Sequence, residues 1–129
     1  MAYNILVVDD SRTVRAMIKK TLDICGTPLN MLHQAENGQE ALSVLQQEWI
    51  DLVLTDINMP VMDGMEMISR MFDDGLLKTV PVVVVSTEGS QTRIDELRKK
   101  GIAGYIRKPF TPEAIKHVVE DVLGGSNGH

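Results

Sequence analysis

Five short apolar runs, each stopped by a polar residue and followed by a helix-like stretch, set the limits on what this chain can fold into. The runs are Ile5–Val8, Met31–Ala35, Leu52–Leu54, Val82–Val85 and Ala103–Arg107. The second is the weakest, because His33 and Gln34 interrupt it. Runs this short, bounded by turn signals, suit strands buried on both faces. Strands alternating with helices imply a parallel sheet covered on both sides and joined by right-handed crossovers. The expected architecture is α/β: (βα)5, a doubly wound parallel five-stranded sheet.

The intervening segments carry helical spacing. Val14, Met17, Ile18, Leu22 and Cys25 form one face of a helix over residues 12–25. Gly26, Pro28 and Asn30 break it. Asn37 and Glu40 read as an N-cap and capping box, with Ala41, Leu42, Leu45 and Trp49 as the buried face. Residues 58–64 form a loop, after which Met65, Ile68, Met71 and Phe72 face inward. A polar helix over residues 91–100 has only Ile94 and Leu97 as apolar anchors. Thr111 caps the last helix and Pro112 takes its first turn. Its buried face is Ile115, Val118, Val119, Val122 and Leu123.

A length of 129 residues fits one domain. We expect it to span residues 1–123, with 124–129 as a flexible tail. With 43% hydrophobic and 24% charged residues, the composition excludes a disordered chain, a collagen and a coiled coil. No apolar run approaches the roughly 20 residues that span a bilayer, and the start does not read as a signal peptide. The expected setting is cytoplasmic. Cys25 is the single cysteine, which excludes an internal disulfide framework and a Cys-based zinc site. The formal charge of −5 argues against nonspecific binding to nucleic acid or anionic membrane.

The chemistry gathers where the strands end. In an open α/β sheet, ligands bind beyond the carboxyl ends of the strands. The residues that close the runs there are Asp9 and Asp10, Asp56, Ser86 and Lys108. Each has an ordinary role when taken alone: helix cap, turn former or solvated loop lysine. Together they form a constellation. Three neighbouring carboxylates repel and call for a cation. Oxygen ligands without His or Cys select Mg²⁺, with Mn²⁺ able to replace it. Lys108 is a compact charge suited to a phosphoryl group, and Ser86 a hydrogen-bond donor to one. A carboxylate between a divalent ion and a lysine meets the needs of aspartyl-phosphate chemistry.

These residues also carry a family resemblance. The segments ILVVDDS at 5–11, LVLTDINMPVMDG at 52–64, VVVVSTE at 82–88 and GYIRKPF at 104–110 resemble a response-regulator receiver domain of the stand-alone, CheY-like kind. The likeness runs from about residue 4 to 123. It implies the flavodoxin-like strand order 2-1-3-4-5. It implies Asp56 as phosphoacceptor, Asp10 as direct metal ligand and Asp9 as a ligand through water. The backbone oxygen of Asn58 completes the metal set, and Lys108 pairs with the phosphoryl group. Ser86 and Tyr105 become the switch pair, and the Lys108–Pro109 bond is expected to be cis. Asn58 and Glu88 match side chains that flank the attacking water in dephosphorylation. Thr87 is bulkier than the residue usual at its position, which bears on phosphoryl lifetime.

The implied function is a two-component response regulator. It would take a phosphoryl group from a histidine kinase or phosphotransfer domain. It would then switch a protein-binding face for a target such as a flagellar motor switch component. It would be no enzyme beyond its own phosphorylation and autodephosphorylation, and is expected to be monomeric. Alternatives within the class are a single-domain receiver in another phosphorelay, or a receiver cut from a larger hybrid kinase or regulator. A haloacid dehalogenase-type phosphatase fits less well, since its Asp-x-Asp motif follows the first strand, where this chain has adjacent Asp9 and Asp10. A flavin-binding protein fits less well too, because those carboxylates would repel a phosphate. A degenerate, binding-only receiver conflicts with the complete residue set.

Overall fold

The computed structural model describes residues 2–87 and 89–124. The elements alternate as expected: β1 (Tyr3–Val8), α1 (Arg12–Ile24), β2 (Leu29–Ala35), α2 (Gly38–Gln47), β3 (Leu52–Thr55) and α3 (Gly64–Asp73). A short turn of 3₁₀ helix at Leu76–Lys78 leads to β4 (Val82–Ser86), α4 (Gln91–Lys100), β5 (Gly104–Arg107) and α5 (Pro112–Val119). A π-helical turn over Glu120–Gly124 continues α5. All pairings are parallel and the strand order is 2-1-3-4-5.

The strands are apolar throughout because helices cover both faces of the sheet. Ile5 and Val7 join Leu52, Leu54, Val83 and Val85 on the side of α1 and α5, where Ile18, Leu22, Ile115 and Val119 meet them. Leu6, Val8, Val53, Val82 and Val84 point the other way, toward Ala41, Met67, Ile68, Met71 and Leu97. Side chains one residue apart on a strand thus belong to opposite core layers.

Helix starts follow local chemistry. Asn37 accepts a hydrogen bond from the Glu40 N–H at 2.9 Å, and the Glu40 carboxylate reaches back to the Glu36 N–H at 3.0 Å. Thr111 accepts from the Ala114 N–H at 3.1 Å, with Pro112 in the first turn. Three apolar assignments need correction. Met17 is 52% exposed, because the buried stripe of α1 is Arg15, Ile18, Thr21 and Leu22. Trp49 is 77% exposed, because α2 stops at Gln47 and its periodicity stops with it. The Trp49 indole donates to Asp51 at 3.0 Å. Phe72 is half exposed under the Lys100 ammonium, while Met67 takes the inward position on α3.

One glycine shapes the site. Gly64 opens α3 where its N–H donates to the Ile57 carbonyl at 2.7 Å. A β-carbon there would lie 2.3 Å from the Asp56 carbonyl oxygen and 2.8 Å from the Ile57 α-carbon. Only glycine lets α3 start against the backbone that carries Asp56.

Candidate functional site: an acidic cluster with a bridging lysine

Parallel strands bring their carboxyl ends to one edge, so residues far apart in sequence meet there. β1 delivers Asp9 and Asp10, β3 delivers Asp56, and β5 delivers Lys108. Ligand oxygens of Asp9, Asp10 and Asp56 all lie within 4.8 Å of one another. Asp9 and Asp56 are buried, while Asp10 is exposed at the mouth.

Lys108 bridges two of the three carboxylates. Its Nζ donates to Asp9 Oδ2 at 2.9 Å and to Asp56 Oδ2 at 3.2 Å. Burial works to lower its pKa, but the Asp9 hydrogen bond and the charges of Asp56 and Asp9 outweigh that. The result is a pKa raised above the usual lysine value. The ammonium is therefore firmly charged. The remaining oxygens are held by backbone donors. Asp9 Oδ1 accepts from the Ser11 N–H at 2.9 Å, and Asp56 Oδ1 accepts from the Ile57 N–H at 2.7 Å.

Three carboxylates against one ammonium leave local negative charge. The donors are all hard oxygens, with one carboxylate open to solvent. That set suits a small divalent cation that keeps several waters. The cluster has the chemistry to hold such an ion.

The other sequence-predicted residues sit around this centre. Ser86 is buried at the end of β4, and its carbonyl accepts from the Lys108 N–H at 2.9 Å. Tyr105 is half-buried on β5, beside Val84 of β4, and packs against the core layer of α2, α3 and α4. Asn58 and Thr87 are exposed. Glu88 lies outside the described residues. The Lys108–Pro109 peptide is cis.

Sequence reasoning missed Arg15 and Gln34. Arg15 is buried, donates to the Asp9 main-chain carbonyl through Nη1, and donates to Gln34 Oε1 through Nε at 2.9 Å. The available signal was a charged residue three positions before Ile18, on the stripe of α1 that faces the sheet.

Residues 5–120 match the family described as the response regulator receiver domain, and the chain belongs to that family. Among its relatives is a chemotaxis protein CheY homolog of Campylobacter jejuni, 39% identical over 125 residues, covering 96% of this chain and 95% of that protein. Chemotaxis protein CheY1 of Helicobacter pylori is 40% identical over 121 residues, covering 93% of this chain and 96% of its own length. Among solved structures, the chemotaxis response regulator CheY4 of Vibrio cholerae superposes with a TM-score of 0.83 at 32% identity, over 95% of this chain and all of that one. The chain is thus a response-regulator receiver domain, similar over nearly its whole length to proteins named for chemotaxis.

Proposed function

We propose that the chain is a phosphorylation-dependent switch whose receiver unit spans residues 1–123, with Asp56 as the phosphoacceptor. The observation that carries this reading is the triad of Asp9, Asp10 and Asp56 within 4.8 Å, with Lys108 bridging Asp9 and Asp56. A carboxylate oxygen of Asp56 attacks the phosphorus of a phosphohistidine in a histidine kinase or phosphotransfer domain. The new O–P bond forms as the P–N bond breaks, and the leaving imidazole takes up a proton. Lys108 neutralises charge on the phosphoryl oxygens. Asp10, Asp56 and the backbone oxygen of Asn58 would hold Mg²⁺ directly, or Mn²⁺ in its place, with Asp9 acting through water. That ion would screen the attacking carboxylate from the incoming phosphoryl group.

Ser86 would then donate its hydroxyl to a phosphoryl oxygen, and Tyr105 would follow inward. Both lie on the strands that flank α4, and α4 buries only Leu97. A helix held this lightly shifts at low cost. The face of α4, β5 and α5 would present the signal to a target protein. The chemotaxis relatives favour a flagellar motor switch component as that target. Asn58, Thr87 and Glu88 would set the phosphoryl lifetime. The protein would work as a monomer in the cytoplasm. Among the described residues no helix is long and apolar enough to cross a membrane.

Intact mass after incubation with acetyl phosphate tests the reading. We expect a Mg²⁺-dependent phosphoryl adduct that an Asp56→Asn variant lacks. No adduct under conditions that trap short-lived species would refute the assignment of Asp56.

A further inference from the structure

Arg15 is 8% exposed, on the buried stripe of α1, and among the described residues it forms no ion pair. Burying a cation without a carboxylate partner is costly unless something nearby compensates it. Here its hydrogen bonds go to two neutral oxygens, the Asp9 carbonyl and Gln34 Oε1. The carbonyl that Arg15 holds belongs to Asp9, the first residue of the acidic cluster.

The contact at Asp9 is also geometric. Every polar group of Asp9 is engaged. Its N–H donates to the Ala35 carbonyl at 3.0 Å, and its carbonyl accepts from Arg15. Its two carboxylate oxygens take the Ser11 N–H and Lys108 Nζ, each at 2.9 Å. Asp10 is exposed. The Asp9 carbonyl and the Asp10 N–H share one rigid peptide plane, so holding the carbonyl sets where the Asp10 α-carbon sits.

We propose that Arg15 is a positioning residue for the acidic site: its guanidinium, braced by Gln34, locks the Asp9–Asp10 peptide so that Asp10 is presented to a divalent cation. This rests on the reading of Asp9, Asp10 and Asp56 as a cation site. The charge of Arg15 repels a cation, so electrostatics alone would make its removal tighten binding. Positioning predicts the opposite. Arg15→Lys separates the two effects, because it keeps the charge and loses the planar fork.

The test is Mn²⁺ binding to the intact protein, followed by loss of the free-ion electron paramagnetic resonance signal, with thermal melts alongside. Asp10→Asn serves as the control. We expect Arg15→Lys to weaken Mn²⁺ binding about tenfold, as losses of supporting residues around metal ligands do. Gln34→Ala should weaken it by roughly threefold, by freeing one arm of the fork. A purely structural role would lower the melting temperature and leave the affinity of the folded protein unchanged. Wild-type affinity in Arg15→Lys, or tighter binding, therefore overturns the proposal. If Arg15→Lys is unfolded at the measuring temperature, Gln34→Ala decides alone, and unchanged affinity overturns the proposal. If the wild-type protein binds no Mn²⁺, the cation-site reading falls and this inference falls with it. If the wild type binds, Asp10→Asn does not, and Arg15→Lys matches the wild type, the role of Arg15 alone is refuted.

Discussion

Helices α3 and α4 are each ten residues long and lie on the same side of the sheet, yet they are held very differently. α3 buries Gly64, Met67, Ile68 and Met71, and it starts against the backbone of Asp56 and Ile57. α4 buries Leu97 alone and carries Arg98, Lys99 and Lys100 in its last turn. The first helix is built into the floor of the acidic site. The second rests on one apolar anchor beside the strands that carry Ser86 and Tyr105. Buried apolar area scales with stabilisation. One fold therefore keeps its chemical site rigid while leaving a neighbouring surface soft.

The largest expected effect breaks the rigid side. Gly64→Ala places a β-carbon against backbone that cannot give way, and should cost about 3 kcal/mol or more in urea unfolding. Met71→Ala leaves a cavity under α3 and should cost about 3 kcal/mol. Equal global stability for the wild type and both variants would contradict the picture of α3 as a packed support.

The next test compares the two helices within one molecule. In native-state hydrogen exchange, α4 amides should exchange through local opening about 2 kcal/mol cheaper than the opening that exposes α3. Matching protection in both helices would remove the contrast.

Charge in the site comes third. Asp10→Asn removes one of three mutually repelling carboxylates, and should stabilise the ion-free protein by about 1 kcal/mol. Mg²⁺ should raise the melting temperature of the wild type and leave that of this variant unchanged. The Lys108 pair adds a pH dependence. Its folded pKa is raised above the ordinary value of 10.5, so its contribution is fully present below that value. It is lost as pH rises through the higher folded value. The stability gap between wild type and Lys108→Met should therefore be flat from neutral pH to about pH 9.5 and close in stronger base, as read from denaturant midpoints.

The smallest expected effect is at the caps. Asp63 accepts from the Glu66 N–H at 2.8 Å, whereas Ser90 accepts from the Arg93 N–H at 3.4 Å. Asp63→Ala should cost about 1 kcal/mol and Ser90→Ala about half that, in the same unfolding assay.

Much of this was legible from the chain. The strands, their order of appearance, the caps at Asn37 and Thr111, and the polar residues at the strand ends all follow from local pattern. The strand-end pattern groups Asp9, Asp10, Asp56 and Lys108, and their side chains meet in the fold. The misses share one cause. Met17, Trp49 and Phe72 are apolar at helix-like spacing, but the angular position of a stripe, and where a helix stops, depend on what packs against it. Arg15 is not legible from sequence, because a charged residue on a buried stripe makes sense only once the Asp9 carbonyl and Gln34 stand beside it.

The sequence by itself determined the alternation of strand and helix, because apolar periodicity and capping act over a few neighbouring residues. It also determined which residues close each strand. Only the tertiary structure decided the distances among those residues, the bridging position of Lys108 and the approach of Gly64 to Asp56. These contacts join positions up to 99 apart in the chain. No local rule reaches across that separation; the parallel sheet does, by ending its strands at a common edge.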